Sequence, residues 1–314
     1  MAHRRLLPAG AGRTPGLIQK VVDRVSPKVL ALLALLTAVW GTNWPLFKIA
    51  LDELPVLTFR SITMVTAFVV LTAILVVRRD SFAVPKGKWP NLVAASAMNI
   101  LVWNIATSLA VLYIPSGHAS VLAYTMPLWV ALLGFAVFGQ RLTGRLLTAI
   151  AIGAVAVLAL MLPNFRSYET APAGLFWGLF AGFCWAVGTF IVKRTAWPGM
   201  GLSLTFWQIV ISLPPILLGA LVIDGIPDHW PSAKALIATI YTGAIPMALG
   251  TATWFALVKL LPAQVAALSS IAIPIVAIVS GVLLLDEPLS ALQTVAIGST
   301  VVALWLALVP GRER

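Results

Sequence analysis

The chain has 314 residues, 60% hydrophobic and 10% charged, against about 25% charged and about 45–50% apolar residues in a soluble globular chain. At this length the spans of a multi-pass membrane protein take up most of the sequence, and no room is left for a soluble catalytic domain. A net charge of +11 would point to nucleic acid in a soluble protein, but the placement of the charges assigns it to the membrane surface, so no nucleic-acid partner is expected.

Residues 1–28 are polar and basic. Within them "LIQKVVDRV" sets Leu17, Ile18, Val21, Val22 and Val25 on one helical face, which reads either as an interfacial helix or as a disordered basic tail. The first apolar run is longer than the core of a signal peptide and no A-x-A-like site follows it, so no cleaved leader is expected. Apolar segments of about 20 residues then predict ten transmembrane helices. They lie at 29–50, 56–77, 92–112, 116–138, 146–162, 174–193, 202–223, 234–257, 263–285 and 290–309. The connections between them are short and rich in Pro, Gly and charge.

With the N-terminus inside and the spans alternating, only Lys48, Arg60, Arg166 and Lys234 of the 21 lysines and arginines fall outside. Lysine and arginine bias sets orientation, so both termini are expected in the cytoplasm of a multi-pass inner (plasma) membrane protein.

In the first span, "VWGTNWPLFK" places Gly41, Asn43 and Pro45 within an apolar run. Proline removes a backbone donor and frees a carbonyl one turn back. A broken helix is tolerated at membrane depth where it lines a cavity, so a break is expected here with Asn43 facing a cavity. The alternative is a kink packed by neighbouring helices. Span three carries Asn99, Trp103 and Asn104, whose amides either bridge helices or bind a substrate. Span four carries Ser120 and Tyr124, with His118 near its mouth as a pH-sensitive gate or an ordinary interfacial residue. "GLFWGLFAG" spaces Gly174, Gly178 and Gly182 four apart, a face for close helix packing. Tyr241, Ser269 and Ser270 add hydroxyls in the second half, and Pro127 and Pro274, like Pro45, mark kinks. Trp40, Trp103 and Trp185 sit near mid-span, where indoles wall a cavity or simply pack. Trp89, Trp197 and Trp230 fall in loops and read as interface anchors.

What is missing narrows the chemistry. No Asp or Glu lies mid-span, which gives no support to a proton pump built on a buried carboxylate. Nor does any Lys or Arg lie deep in a span, which argues against phosphorylated substrates; Lys48, Arg60 and Lys193 either reach a carboxylate from the cavity edge or, as the more ordinary outcome, snorkel to headgroups. The single cysteine, Cys184, and three scattered histidines form no ligand spacing, so no metal or cofactor is expected. A membrane-embedded enzyme would need titratable groups converging at one depth, and no catalytic residue is assigned.

The two halves match each other. With an offset of 147, Pro115, Pro127, Gly134 and Leu142 align with Pro262, Pro274, Gly281 and Leu289. With an offset of 145, Trp40 aligns with Trp185 and Lys48 with Lys193. Five spans per copy is an odd number, so the second copy enters from the opposite face, as in the inverted repeats of many transporters. The organisation is therefore read as a basic segment 1–28, five-helix halves 29–165 and 166–309, and a tail 310–314.

The Trp-rich first span, the paired prolines and "LLLDEPLS" resemble the drug/metabolite transporter superfamily, and within it the EamA-type members akin to YddG-like amino-acid exporters. The resemblance spans about residues 29–309. It departs from the family's Gly-Glu pair after spans four and nine, which here read Gly139-Gln140 and Asp286-Glu287. It implies a secondary carrier working by alternating access, with amino acids as substrates and export as the direction. A broad drug, cation or nucleoside efflux carrier is the alternative. The expected partners are a small-molecule substrate and membrane lipid, with a monomer expected and a dimer as the alternative.

Overall fold

The computed structural model describes residues 27–137, 172–226, 229–260 and 272–287, with scattered positions in 139–155 and 289–298. The described part is helical. In chain order the helices are α1 (Pro27–Leu51), α2 (Val56–Arg78), α3 (Trp89–Tyr113), α4 (Ser116–Ala136), α5 (Pro172–Arg194), α6 (Ser203–Asp224), α7 (Ala233–Leu260) and α8 (Ile273–Leu285). Six of them, α2 to α7, are long and apolar enough to cross a membrane. The spans expected at 146–162 and 290–309 fall outside the described residues apart from scattered positions, as do Ser269 and Ser270.

The expected break in the first span does not occur. α1 runs unbroken through Gly41, Asn43 and Pro45. The Gly41 carbonyl, four residues before Pro45, lies 3.5 Å from the Ser280 hydroxyl of α8, whose shorter bond is to its own Val276 carbonyl at 2.7 Å. Gly41 is also where α1 and α8 meet most closely, since a Cβ there would overlap Val276. The interruptions lie elsewhere. α4 breaks at Tyr124–Thr125, just ahead of Pro127, into Ser116–Ala123 and Met126–Ala136. α3 and α7 each widen to a π-helix mid-course, at Ala97–Val102 and Gly243–Gly250. Such bulges re-aim the side chains that follow them.

Glycines set the other close approaches. A Cβ on Gly174 would come within 2.7 Å of Ile114, on Gly178 within 2.6 Å of Leu122, and on Gly182 within 2.7 Å of the Ala123 carbonyl. The "GLFWGLFAG" stripe is thus the face of α5 that packs on α3 and α4. The loop tryptophans do not behave alike. Trp230 is fully exposed and Trp89 is partly exposed against Trp207. Trp197 is buried, with Nε1 donating to the Val192 carbonyl, so it packs in the core rather than anchoring at an interface.

Hydrogen bonds between helix ends define two ends of the bundle. At one, Glu53, Asp224 and Glu287 meet the starts of α7, α2 and α4. At the other, Asn91 meets Thr195, Trp207 meets the Phe82 carbonyl and Lys259 meets the Met200 carbonyl. Consequently α1, α3, α6 and α8 run toward the carboxylate end, and α2, α4, α5 and α7 run away from it.

Candidate functional site

Between α1, α2, α3, α4, α5 and α7 lies a cavity of about 50 Å³. Four indoles, Trp40, Trp44, Trp103 and Trp185, line it. Trp40 meets Trp185 edge to face at 5.7 Å, and Trp185 lies 4.6 Å from Trp103. Trp40 and Trp185 are the pair that the internal alignment of the sequence equates, one from each half. Tyr124, exposed to the cavity at the break in α4, sits 6.1 Å from both Trp103 and Trp44. Trp40 is held by an Nε1–H bond to the Pro246 carbonyl at 3.0 Å, inside the π-helical part of α7.

The polar lining is mostly neutral. Asn43 accepts a 2.8 Å hydrogen bond from the Thr242 hydroxyl, tying α1 to α7. Asn104 donates to the Ile100 carbonyl at 2.7 Å, and its Oδ1 has no partner among the described residues. The two π-helical segments place this lining. Ile100 lies within the segment of α3, with Trp103 and Asn104 just after it; Pro246 and Met247 lie within that of α7, between Thr242 and Thr251.

One charged residue joins them, against the more ordinary expectation. Arg60, only the fifth residue of α2, is 1% exposed and lines the cavity. It does not snorkel, because its guanidinium is enclosed. The group lies 4.2 Å from the Phe47 ring centre and 4.7 Å from that of Phe59. Its Nε donates between the Asn104 carbonyl at 2.9 Å and the Ser108 hydroxyl at 2.6 Å, and Nη2 donates to the Thr107 hydroxyl at 3.1 Å.

Of the residues singled out from sequence, Trp40, Asn43, Trp103, Asn104, Tyr124 and Trp185 come together around this cavity. Asn99 does not line it. It is fully buried against Gly188, with neither amide atom hydrogen-bonded. Ser120 is buried and bonds back to the Gly117 carbonyl of its own helix. Tyr241 is half-buried outside the lining, because the following residue, Thr242, takes the inward face of α7. His118 is buried in the first turn of α4, two residues from the Ser116–Glu287 contact, and is not among the lining residues. Pro274 is the second residue of α8. Sequence reasoning placed Arg60 at the cavity edge only as the lesser reading, and missed Trp44, Phe47, Ile100, Thr242, Pro246, Met247 and Thr251 as lining. The signal for Arg60 was its position after "ELPVLTF", where the aromatic that shields it already adjoins it.

The EamA-like transporter family model matches residues 28–162 and again 172–309. A "Probable amino-acid metabolite efflux pump" of Escherichia coli is 28% identical over 278 residues, 84% of this chain and 89% of the relative. Its Salmonella typhimurium namesake is 26% identical over 83% of this chain and 88% of that protein. The "Uncharacterized transporter YvbV" of Bacillus subtilis is 24% identical over 82% and 84%. A solved crystal structure superposes with a TM-score of 0.67 at 17% identity, covering 88% of this chain and 96% of the other, a likeness of fold alone. With the family pattern matched twice along a helical, membrane-capable chain, the protein belongs to the EamA-like transporter family of the drug/metabolite transporter superfamily and is a multi-pass transporter of the inner (plasma) membrane.

Proposed function

We propose that this transporter carries small neutral or zwitterionic metabolites, amino acids above all and aromatic ones among them, outward across the membrane. It works as a facilitator or uniporter, with no catalytic step. Ten helices form two inverted five-helix halves with cytoplasmic termini, and the halves rock about the central cavity. The opposed directions of α1 and α5, which carry the equivalent residues Trp40 and Trp185, support the inversion. The names of the bacterial relatives support the substrate class and the direction.

The observation that carries the reading is the central cavity itself. It is walled by indoles from both halves, by the amides of Asn43 and Asn104 from the first and by the hydroxyls of Thr242 and Thr251 from the second, and at about 50 Å³ it is far too small for an amino acid. Ligand pockets run to roughly 300–1,000 Å³. A site so placed and so narrow suits a resting conformation of an alternating-access carrier. The aromatic box alone would also suit a cationic drug, but a buried arginine in the same wall repels one.

Counterflow in proteoliposomes tests the reading. Vesicles loaded with one unlabelled amino acid receive a trace of the labelled form outside, with no ion gradient. A saturable overshoot is expected with phenylalanine or leucine, and its loss in Trp103→Ala and Asn43→Ala. Absence of overshoot with any amino acid, from folded protein, sinks the reading.

A further inference from the structure

We propose that Arg60 binds the carboxylate of the transported molecule and Asn104 its ammonium group, so that the cavity selects α-amino acids by their charged head. The inference rests on the amino-acid reading above and deepens it.

A guanidinium presents five N–H donors and no acceptor. The protein uses one on Nε and one on Nη2. No carboxylate lies within 4.0 Å of Arg60, since the ion pairs among the described residues are Lys48–Asp52 and Arg78–Asp80. The carboxylates Glu53, Asp224 and Glu287 are engaged at helix starts. Arg60 is thus a cation 1% exposed, with no counter-ion among the described residues and donors to spare, in the wall of the cavity. A buried charge in that condition is costly unless it is paired. The Phe47 and Phe59 rings offset part of the cost. A planar carboxylate, which takes two parallel N–H bonds from such a fork, supplies the rest.

The second group is adjacent. Asn104 gives its backbone carbonyl to Arg60, while its side-chain Oδ1 is an unused acceptor in the same lining. An anion site and an acceptor for a cation side by side match a molecule whose carboxylate and ammonium share one carbon. Trp40, Trp103 and Trp185 then face the side chain, which explains how one cavity takes both aromatic and aliphatic amino acids. A phosphate would also suit the fork, but one arginine among neutral amides leaves a dianion half compensated.

The experiment is competition in the counterflow assay with labelled phenylalanine on the unaltered protein. Phenylalaninamide and phenethylamine keep the ring and ammonium but lack the carboxylate, and each is expected to compete about 10- to 100-fold more weakly than phenylalanine. 3-Phenylpropionate, which keeps the carboxylate, is expected to compete better than phenethylamine. Arg60→Gln is expected to raise KM for phenylalanine by a similar factor and to improve competition by phenethylamine, since the charge that repels it is gone. A purely structural role would weaken both alike. If phenylalanine is carried but the amide and the amine compete equally with it, the inference falls and the amino-acid reading stands. If inorganic phosphate competes more strongly than 3-phenylpropionate, the inference falls in favour of phosphorylated substrates. If no amino acid is carried at all, the reading falls first and takes the inference with it. Should Arg60→Gln fail to fold, the competition series on the unaltered protein decides alone.

Discussion

The two ends of the bundle use charge in opposite ways. At the carboxylate end, a single device occurs three times. A Ser or Thr at the start of a helix donates both its N–H and its hydroxyl to a carboxylate at the end of another helix. Ser232 binds Glu53, Thr58 binds Asp224 and Ser116 binds Glu287, at 2.6 to 3.3 Å. Each carboxylate meets the positive end of a helix dipole. Each pair also joins the two segments matched by the family, 28–162 and 172–309. At the other end, lysines meet backbone carbonyls within the second segment: Lys193 bonds that of Val258 near the end of α7 at 2.8 Å, and Lys259 bonds that of Met200 in the loop before α6. The bonds that cross between segments there, Asn91 to Thr195 and Trp207 to Phe82, are neutral. Charge therefore ties the halves together at one end and braces a single half at the other. If the halves rock, the carboxylate end is the one latched shut in this conformation.

Breaking the latches gives the largest expected effect. The triple variant Glu53→Gln, Asp224→Asn, Glu287→Gln is expected to expose the carboxylate end. A cysteine placed at Leu54, which is 4% exposed, should then react with a hydrophilic maleimide several-fold faster. Asp224 and Glu287 are partly exposed, so each should contribute about 1 kcal/mol. An unchanged labelling rate in folded protein would mean that these contacts brace helices without gating.

A smaller effect is expected from the opposite end. Lys193→Met with Lys259→Met removes hydrogen bonds within one half, so the melting temperature should fall by a few degrees. Labelling at position 54 should stay the same. A change in labelling equal to that of the triple variant would erase the distinction between the two ends.

The smallest effect concerns pH. The Ser232 hydroxyl and N–H hold the Glu53 carboxyl below its ordinary value of 4.5. A lowered value means that the latch contributes fully above 4.5 and is lost as pH falls through the lowered value. The labelling rate of Glu53→Gln relative to the unaltered protein should therefore differ at neutral pH and converge in acid. A difference that persists below pH 3 would assign the effect to packing rather than charge.

Much of the architecture could be read before the structure, because apolar length and the mid-span position of indoles are local properties. Trp40, Trp103 and Trp185 stood out because tryptophan is out of place at that depth. Arg60 was misjudged for a tertiary reason. Its distance along the helix puts it near the rim, and groups from other helices, Phe47 and the Asn104 carbonyl with the Thr107 and Ser108 hydroxyls, enclose it. The carboxylates were visible as helix-end residues, but each partner lies more than 160 positions away. Of the prolines expected to disturb their helices, Pro45 sits in an α1 that runs on, packed closely on α8 at Gly41, whereas Pro127 follows the break at Tyr124–Thr125.

The unbonded indoles at and beside the cavity have an optical consequence. Trp185 and Trp254 are buried with Nε1 bare, and their rings lie 6.1 Å apart, with Trp40 5.7 Å from each. Dry indoles fluoresce at the blue edge of tryptophan emission, and rings this close share excitation. A molecule entering among them alters colour and coupling together. The protein therefore carries a built-in dye at its centre, and occupancy can be followed by light without any label.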